Sequence, residues 1–129
     1  MTGLNKALVA FWAALGIPVY LAGKAPDGAA YPYVAIQIAV GDAFNATPIT
    51  AVAWFKASSG DSANAARAAY LDAVSEAIPP QGARVSTGSG YLVLYRNDTE
   101  FMSYYDDPTD NSVIGARVSY YIRAYERGY

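Results

Sequence analysis

The chain contains neither cysteine nor histidine. Without thiols, no disulfide framework and no thiolate metal centre can form. Without imidazole, the nucleophile and base pairs that rely on it are ruled out, and no serine sits in a strand-turn-helix elbow of the G-x-S-x-G kind. A surplus of either charge is also missing. Nine basic and eleven acidic residues among 129 leave a net charge of −2, which argues against duplex DNA as a direct partner held by phosphate neutralisation. Long apolar runs are scarce as well. The longest near the start, residues 7–15, is about half of the roughly 20 residues that a membrane span requires. Only Lys6 precedes it as a nearby positive charge, so it does not read as a signal peptide either, and the expectation is a soluble intracellular protein without a membrane partner.

Tyrosine, by contrast, is abundant: 12 residues against 4 phenylalanines and 2 tryptophans. Its ring is apolar and its hydroxyl seeks a partner, which suits half-wet surfaces and interfaces. A chain of this length forms one domain, residues 1–129, and hides roughly two-thirds of its unfolded surface on folding.

The middle of the chain, residues 31–79, organises the rest. Val34, Ile36, Ile38 and Val40 alternate with Tyr33, Ala35, Gln37 and Ala39, the period of a half-buried strand. A second alternation follows, with Ile49, Ala51, Ala53, Phe55 and Ala57 on one side and Thr50, Val52, Trp54 and Lys56 on the other. The link GDAFNATP supplies turn residues, so the two strands are expected to pair antiparallel. Asp61 or Ser62 then caps a helix whose apolar face is read as Ala63, Ala66, Tyr70, Val74, Ala77 and Ile78. Pro79 and Pro80 stop it.

Upstream, Leu4, Ala7, Leu8, Phe11, Trp12 and Leu15 form the stripe of an amphipathic helix, closed by Gly16 and Pro18. Val19 to Leu21 reads as a short strand and AGKAPDGAAYP as a loop. Downstream, residues 82–86, 91–97 and 100–105 are short strands, DDPTDNS is an acidic surface loop, and residues 113–125 form a closing strand. Ala116, Val118, Tyr120, Ile122 and Ala124 of that strand point to the core. Arg117, Ser119, Tyr121, Arg123 and Tyr125 point the other way. The expected architecture is α+β: an antiparallel or mixed β-sheet with two α-helices packed on one face. Two helices cannot cover both faces, so the second is left to water or to another molecule.

The chain holds few candidates for chemistry. Asp98, Glu100, Asp106, Asp107 and Asp110 gather five of the eleven acids, and a glycosidase needs only two carboxyls. Solvated loop acids keep ordinary pKa values, however, whereas an acid catalyst requires burial or a close partner. DDPTDN does not follow the calcium-loop spacing, and TGSG has neither the lysine nor the following helix of a phosphate loop. No catalytic, cofactor or metal site is therefore assigned, and the chain is read as a non-enzyme. The residues assigned instead are a cationic aromatic row, Arg117, Tyr121, Arg123 and Tyr125, of the composition favoured at interface centres, and the anionic loop residues Asp106, Asp107 and Asp110. One surface can receive the other on a neighbouring copy, a heterologous contact of the kind that closes into rings. Equally, the row and the loop can be a solvated strand face and a solvated turn.

The run of GIPVYL, YPYVAIQIAV, ITAVAWFKAS, SANAARAAYLDAVSEAIPP and ARVSYYIRAYE, after an amphipathic first helix, resembles the tail terminator proteins of long-tailed bacteriophages, also called tail completion or minor capsid proteins. The resemblance implies a ring, a homohexamer, on the head-proximal end of the tail tube. Such a ring stops tube growth and offers the surface to which the filled head attaches, in a virion assembled in the host cytoplasm. The implied partners are further copies of the chain, the tail tube protein and a head-neck connector protein, with DNA only as passing cargo. The nearest rival is a neck or head-completion protein of the same particle. From other classes come a small carbohydrate- or receptor-binding module using Tyr104 and Tyr105, and a carboxylate-dependent hydrolase using Asp106 and Asp107.

Overall fold

A computed structural model describes residues 3–37, 47–56, 62–87, 90–110 and 112–126. In chain order these form α1 (Gly3–Ala13), β1 (Val19–Leu21), β2 (Tyr33–Ile36), β3 (Thr47–Lys56), α2 (Ser62–Ala77), β4 (Ala83–Ser86), β5 (Gly90–Arg96), β6 (Met102–Tyr104) and β7 (Val113–Glu126). The seven strands make one mixed sheet in the order β1-β2-β3-β7-β5-β4, with β6 also on β7. Only β1 and β2 run parallel. The paired central strands appear as expected: β2 is antiparallel to β3, with Tyr33 opposite Trp54 and Ile36 opposite Ala51. Ile38, Ala39, Val40, residues 41–46 of the GDAFNATP link, Ala57 and Asp61 lie outside the described residues.

β7 is the axis of the sheet. Ten of its residues pair with β3 along one edge, from Val113 opposite Lys56 to Ile122 opposite Thr47. On the other edge it pairs with β5 and then with β6. Those two are one strand interrupted by a loop-out. Asn97 donates its N–H to the Ser119 carbonyl at 3.2 Å, Ser119 donates to the Phe101 carbonyl at 2.8 Å, and residues 98–100 are pushed out of the pairing as a long bulge.

Alternation along β7 sends Ala116, Val118, Tyr120 and Ile122 inward, all at most 1% exposed. Facing strands add Val34, Ile36, Ile49, Ala51, Ala53, Phe55, Leu92 and Leu94 to the same core. Both helices close over this one face. From α1 come Leu8 and Trp12, from α2 Tyr70 and Val74, with Ile78 just beyond it. Trp12 reaches across the core and donates its indole N–H to the Tyr120 hydroxyl at 3.0 Å, which satisfies a donor that burial would otherwise strand. Gly16 follows α1 with φ 99°, the left-handed conformation that ends a helix with least strain in a residue without Cβ. At the far end of α2, Arg96 donates to the Ile78 carbonyl at 2.7 Å and the Ser75 carbonyl at 2.9 Å. A cation there complements the free carbonyls and the negative end of the helix dipole.

The α2 stripe differs in one position from the sequence expectation. Ala63, Tyr70 and Val74 are buried, but Arg67 rather than Ala66 completes the inward row, and Ala66 is exposed. A strict i, i+4, i+7, i+11 repeat from Ala63 runs through Arg67, and the helix obeys the repeat rather than the polarity.

Tyr120→Phe leaves the buried Trp12 N–H without its acceptor, and a loss of about 1–3 kcal/mol in urea unfolding is expected. Leu94→Ala, which empties a fully buried site, costs more, about 2–5 kcal/mol.

Candidate interaction surface

The outward positions of the strands form a face on which no described helix lies. β7 contributes Arg117, Tyr121, Arg123 and Tyr125, as the alternation predicts, and the two arginines are exposed while the tyrosines are half-buried. These four residues share one side of one strand. Their neighbours across the sheet follow from register: Arg117 lies opposite Val52 and Ser103, Tyr121 opposite Pro48 and Tyr95, Arg123 opposite Val93, and Tyr125 opposite Tyr91.

The cross-strand pairs build an aromatic cluster that single-residue reading did not assemble. Tyr91 and Tyr125 stack with centroids 4.9 Å apart and an 18° interplanar angle. The Arg84 guanidinium of β4 lies 3.7 Å above the Tyr91 ring, and that of Arg123 lies 5.5 Å from the Tyr125 ring. A hydrogen bond to Tyr125 raises the Tyr95 pKa above its ordinary value, with partial burial adding to it. Contacts of this kind hold guanidinium groups flat against rings. Arg84, Tyr91 and Tyr95 were missed in the sequence because they belong to two short strands whose register on β7 is a tertiary fact. A second aromatic group, Tyr20, Tyr31 and Tyr33, lies on the β1-β2 side, with centroid distances of 5.6 Å and 5.3 Å and Lys56 5.8 Å from the Tyr31 ring.

The acidic loop sits at the opposite end of β7, where the strand begins. Its three acids differ in their surroundings. Asp106 is engaged within the chain: its Oδ1 accepts from Arg67 Nη1 at 2.7 Å and from the Gly115 N–H at 3.4 Å. Arg67, with 8% of its side chain exposed, also donates to the Gly115 carbonyl at 3.2 Å and to Asn64 Oδ1 at 3.1 Å. The Tyr104 ring covers the guanidinium at 3.8 Å. The hydrogen bonds named here run to the loop (Asp106), to β7 (the Gly115 carbonyl) and back to α2 (Asn64), as a buried guanidinium requires.

Gly115 is where the loop backbone presses on β7. A Cβ there would run into the Tyr105 carbonyl oxygen and meet the Trp54 ring at 3.0 Å, so the close approach depends on glycine. Tyr105 in turn packs on Trp54, centroids 5.6 Å apart. Tyr104 and Tyr105, the most exposed aromatic rings among the described residues, are thus each held against their own chain on one side.

Asp107 and Asp110 order the turn itself. Asp107 accepts from the Thr109 N–H, the Thr109 hydroxyl and the Asp110 N–H at 2.8–3.1 Å. Asp110 accepts from the Ser112 N–H and hydroxyl at 2.9 and 2.6 Å. These bonds favour the ionised forms: the Thr109 donors hold Asp107 below the usual carboxylate range, and the Ser112 donors do the same for Asp110. A general acid needs the reverse shift. Among the described residues, no three His, Cys, Asp or Glu side chains come together as metal ligands, and no described helix is long and apolar enough to cross a membrane.

No protein-family model, no curated protein and no solved structure matches this chain. The surface therefore has to be read from its own chemistry.

Gly115→Ala should destabilise the domain by about 1–3 kcal/mol in denaturant unfolding, the ordinary range for forcing an extra methyl into a filled site. The turn should respond to acid. Depressed folded pKa values mean that Asp107 and Asp110 support the turn above their unfolded values and lose that support as pH falls through the folded ones. Amide exchange at Thr109, Asp110 and Ser112 should accelerate in that acidic window while the β7 core stays protected.

Proposed function

We propose that the protein is a structural assembly component of a long-tailed bacteriophage, a tail terminator that caps the tail tube as a ring of identical copies. The observation that carries the reading is the outward sheet face: a broad surface of arginines and tyrosines on a domain whose helices are all spent on the other side. Interfaces are enriched in these two residue types and depleted in lysine and carboxylates. The element order and the strand and helix sequences that resemble the tail terminators support the same reading.

A ring former needs no reacting group. It needs two complementary surfaces at different places on one molecule, so that each copy gives one and receives the other. Arg123, toward the end of β7, is about ten strand positions from Val113, where the ordered anionic turn joins the strand, ~33 Å at the usual rise, far enough for the two to belong to different contacts; Arg117 stands nearer the turn. Tail tube protein below and connector protein above would meet the remaining loops. DNA passes only as cargo, through a lumen that a chain of net charge −2 would keep from being adhesive. A neck or head-completion protein uses the same kinds of surface and differs in ring size and neighbours.

Native mass spectrometry at micromolar concentration tests the reading together with electron microscopy of stained particles. A closed hexameric ring is the expected result, and a species of two copies would count against it. Arg117→Glu combined with Arg123→Glu should abolish the ring while the thermal unfolding midpoint shifts by no more than a few degrees, as is usual for exposed substitutions.

A further inference from the structure

The charged side chains sort by layer. On the outward sheet face the described strand side chains include Lys56, Arg84, Arg117 and Arg123 and no carboxylate. On the opposite side of the domain, the only exposed charged residues of α2 are Asp72 and Glu76. They stand four residues apart on one helix face, where like charges repel, and neither has a hydrogen bond or ion pair among the described residues. In the helix layer Lys6 is the exposed charge of α1, so the polarity is between the cationic sheet face and the anionic surface of α2 in particular.

We infer that the sheet face of one copy docks on the α2 face of the next, with Arg84 and Arg123 received by Asp72 and Glu76. The inference rests on the assembly reading and moves its acidic partner from the loop to the helix. Hydrogen bonding decides between them. Asp106 is already paired with Arg67, and Asp107 and Asp110 accept from their own turn. The two helix acids have their acceptor capacity unused and their mutual repulsion unrelieved, so an incoming guanidinium gains more there. Tyr91, Tyr95, Tyr121 and Tyr125 supply the contact area between the arginines. Because the two surfaces lie on opposite sides of the sheet, the contact is front to back, and its repetition closes a ring or extends a filament.

The test is self-association, followed by native mass spectrometry and light scattering, in paired charge variants. Arg84→Glu/Arg123→Glu and Asp72→Lys/Glu76→Lys should each weaken assembly by about tenfold or more. The fourfold variant, which exchanges the signs on both faces, should recover it. The neutral pair Asp72→Asn/Glu76→Gln should weaken it in the same direction, which guards against misfolding from added charge, and Asp107→Asn/Asp110→Asn should leave it unchanged. An oligomer that ignores the α2 variants, or that responds to the turn variant instead, overturns the helix-face pairing and leaves the assembly reading standing. A wild-type chain that stays monomeric at every accessible concentration overturns both. Binding of an oligothymidylate that Arg84→Glu/Arg123→Glu abolishes would assign the face to single-stranded nucleic acid and overturn the inference.

Discussion

Pairing of β7 with β3, β5 and β6 is the constraint on which the rest of the structure depends. A strand of 14 residues held along both edges cannot slip by one position without turning every side chain to the opposite layer. Its register sets Tyr120 beneath Trp12 and places Ala116, Val118 and Ile122 in the core. The same register lines Arg117, Tyr121, Arg123 and Tyr125 on the outside. Core and candidate surface are two consequences of one alternation, so neither can be altered in register alone.

A second constraint is the buried guanidinium of Arg67. α2 packs across β3 and β7, and an arginine in its inward row would be costly there without partners. Asp106, the Gly115 carbonyl and Asn64 meet it, while the Tyr104 ring shields it. The arrangement joins helix, loop and sheet at one point. It also explains why the loop backbone presses on β7 where a glycine stands, since any other residue would hold Tyr105 away from its seat. The ion pair thereby fixes where the acidic turn leaves the domain, although Asp106 itself is then occupied.

On the outward face, aromatic and cationic residues from three strands are combined by register into a single surface. Stacked rings limit side-chain freedom, and flat guanidinium contacts pre-order the arginines, so less entropy is lost when a partner is met. In the helix layer, α2 presents charge of the other sign. A front-to-back polarity of this kind favours one orientation of neighbouring copies over others, which is specificity more than strength.

Much of this was legible in the sequence, because periodicity is a local property. The alternation of residues 113–125 placed Ala116, Val118, Tyr120 and Ile122 in the core and Arg117 and Arg123 on the surface, although Ser119 on the outward side is also buried; the stripe through Ala7, Leu8 and Trp12 marked the first helix, and Gly16 marked its end. Two antiparallel central strands and helices on one side followed from the same patterns. The order of strands around β7, the parallel β1-β2 pair and the bulge at residues 98–100 did not, because hydrogen bonds between distant segments leave no periodic trace. Arg67 shows the limit most clearly. The apolar pattern pointed to Ala66 in its place, because whether an arginine can be buried depends on which groups the folded chain brings to it, and Asp106 and Gly115 arrive from 39 and 48 residues away. On the strands and on α1 the sequence by itself determined which residues face in or out; tertiary pairing decided which of them meet, and whether Arg67 could be buried, because contact between remote residues is fixed only when the sheet closes.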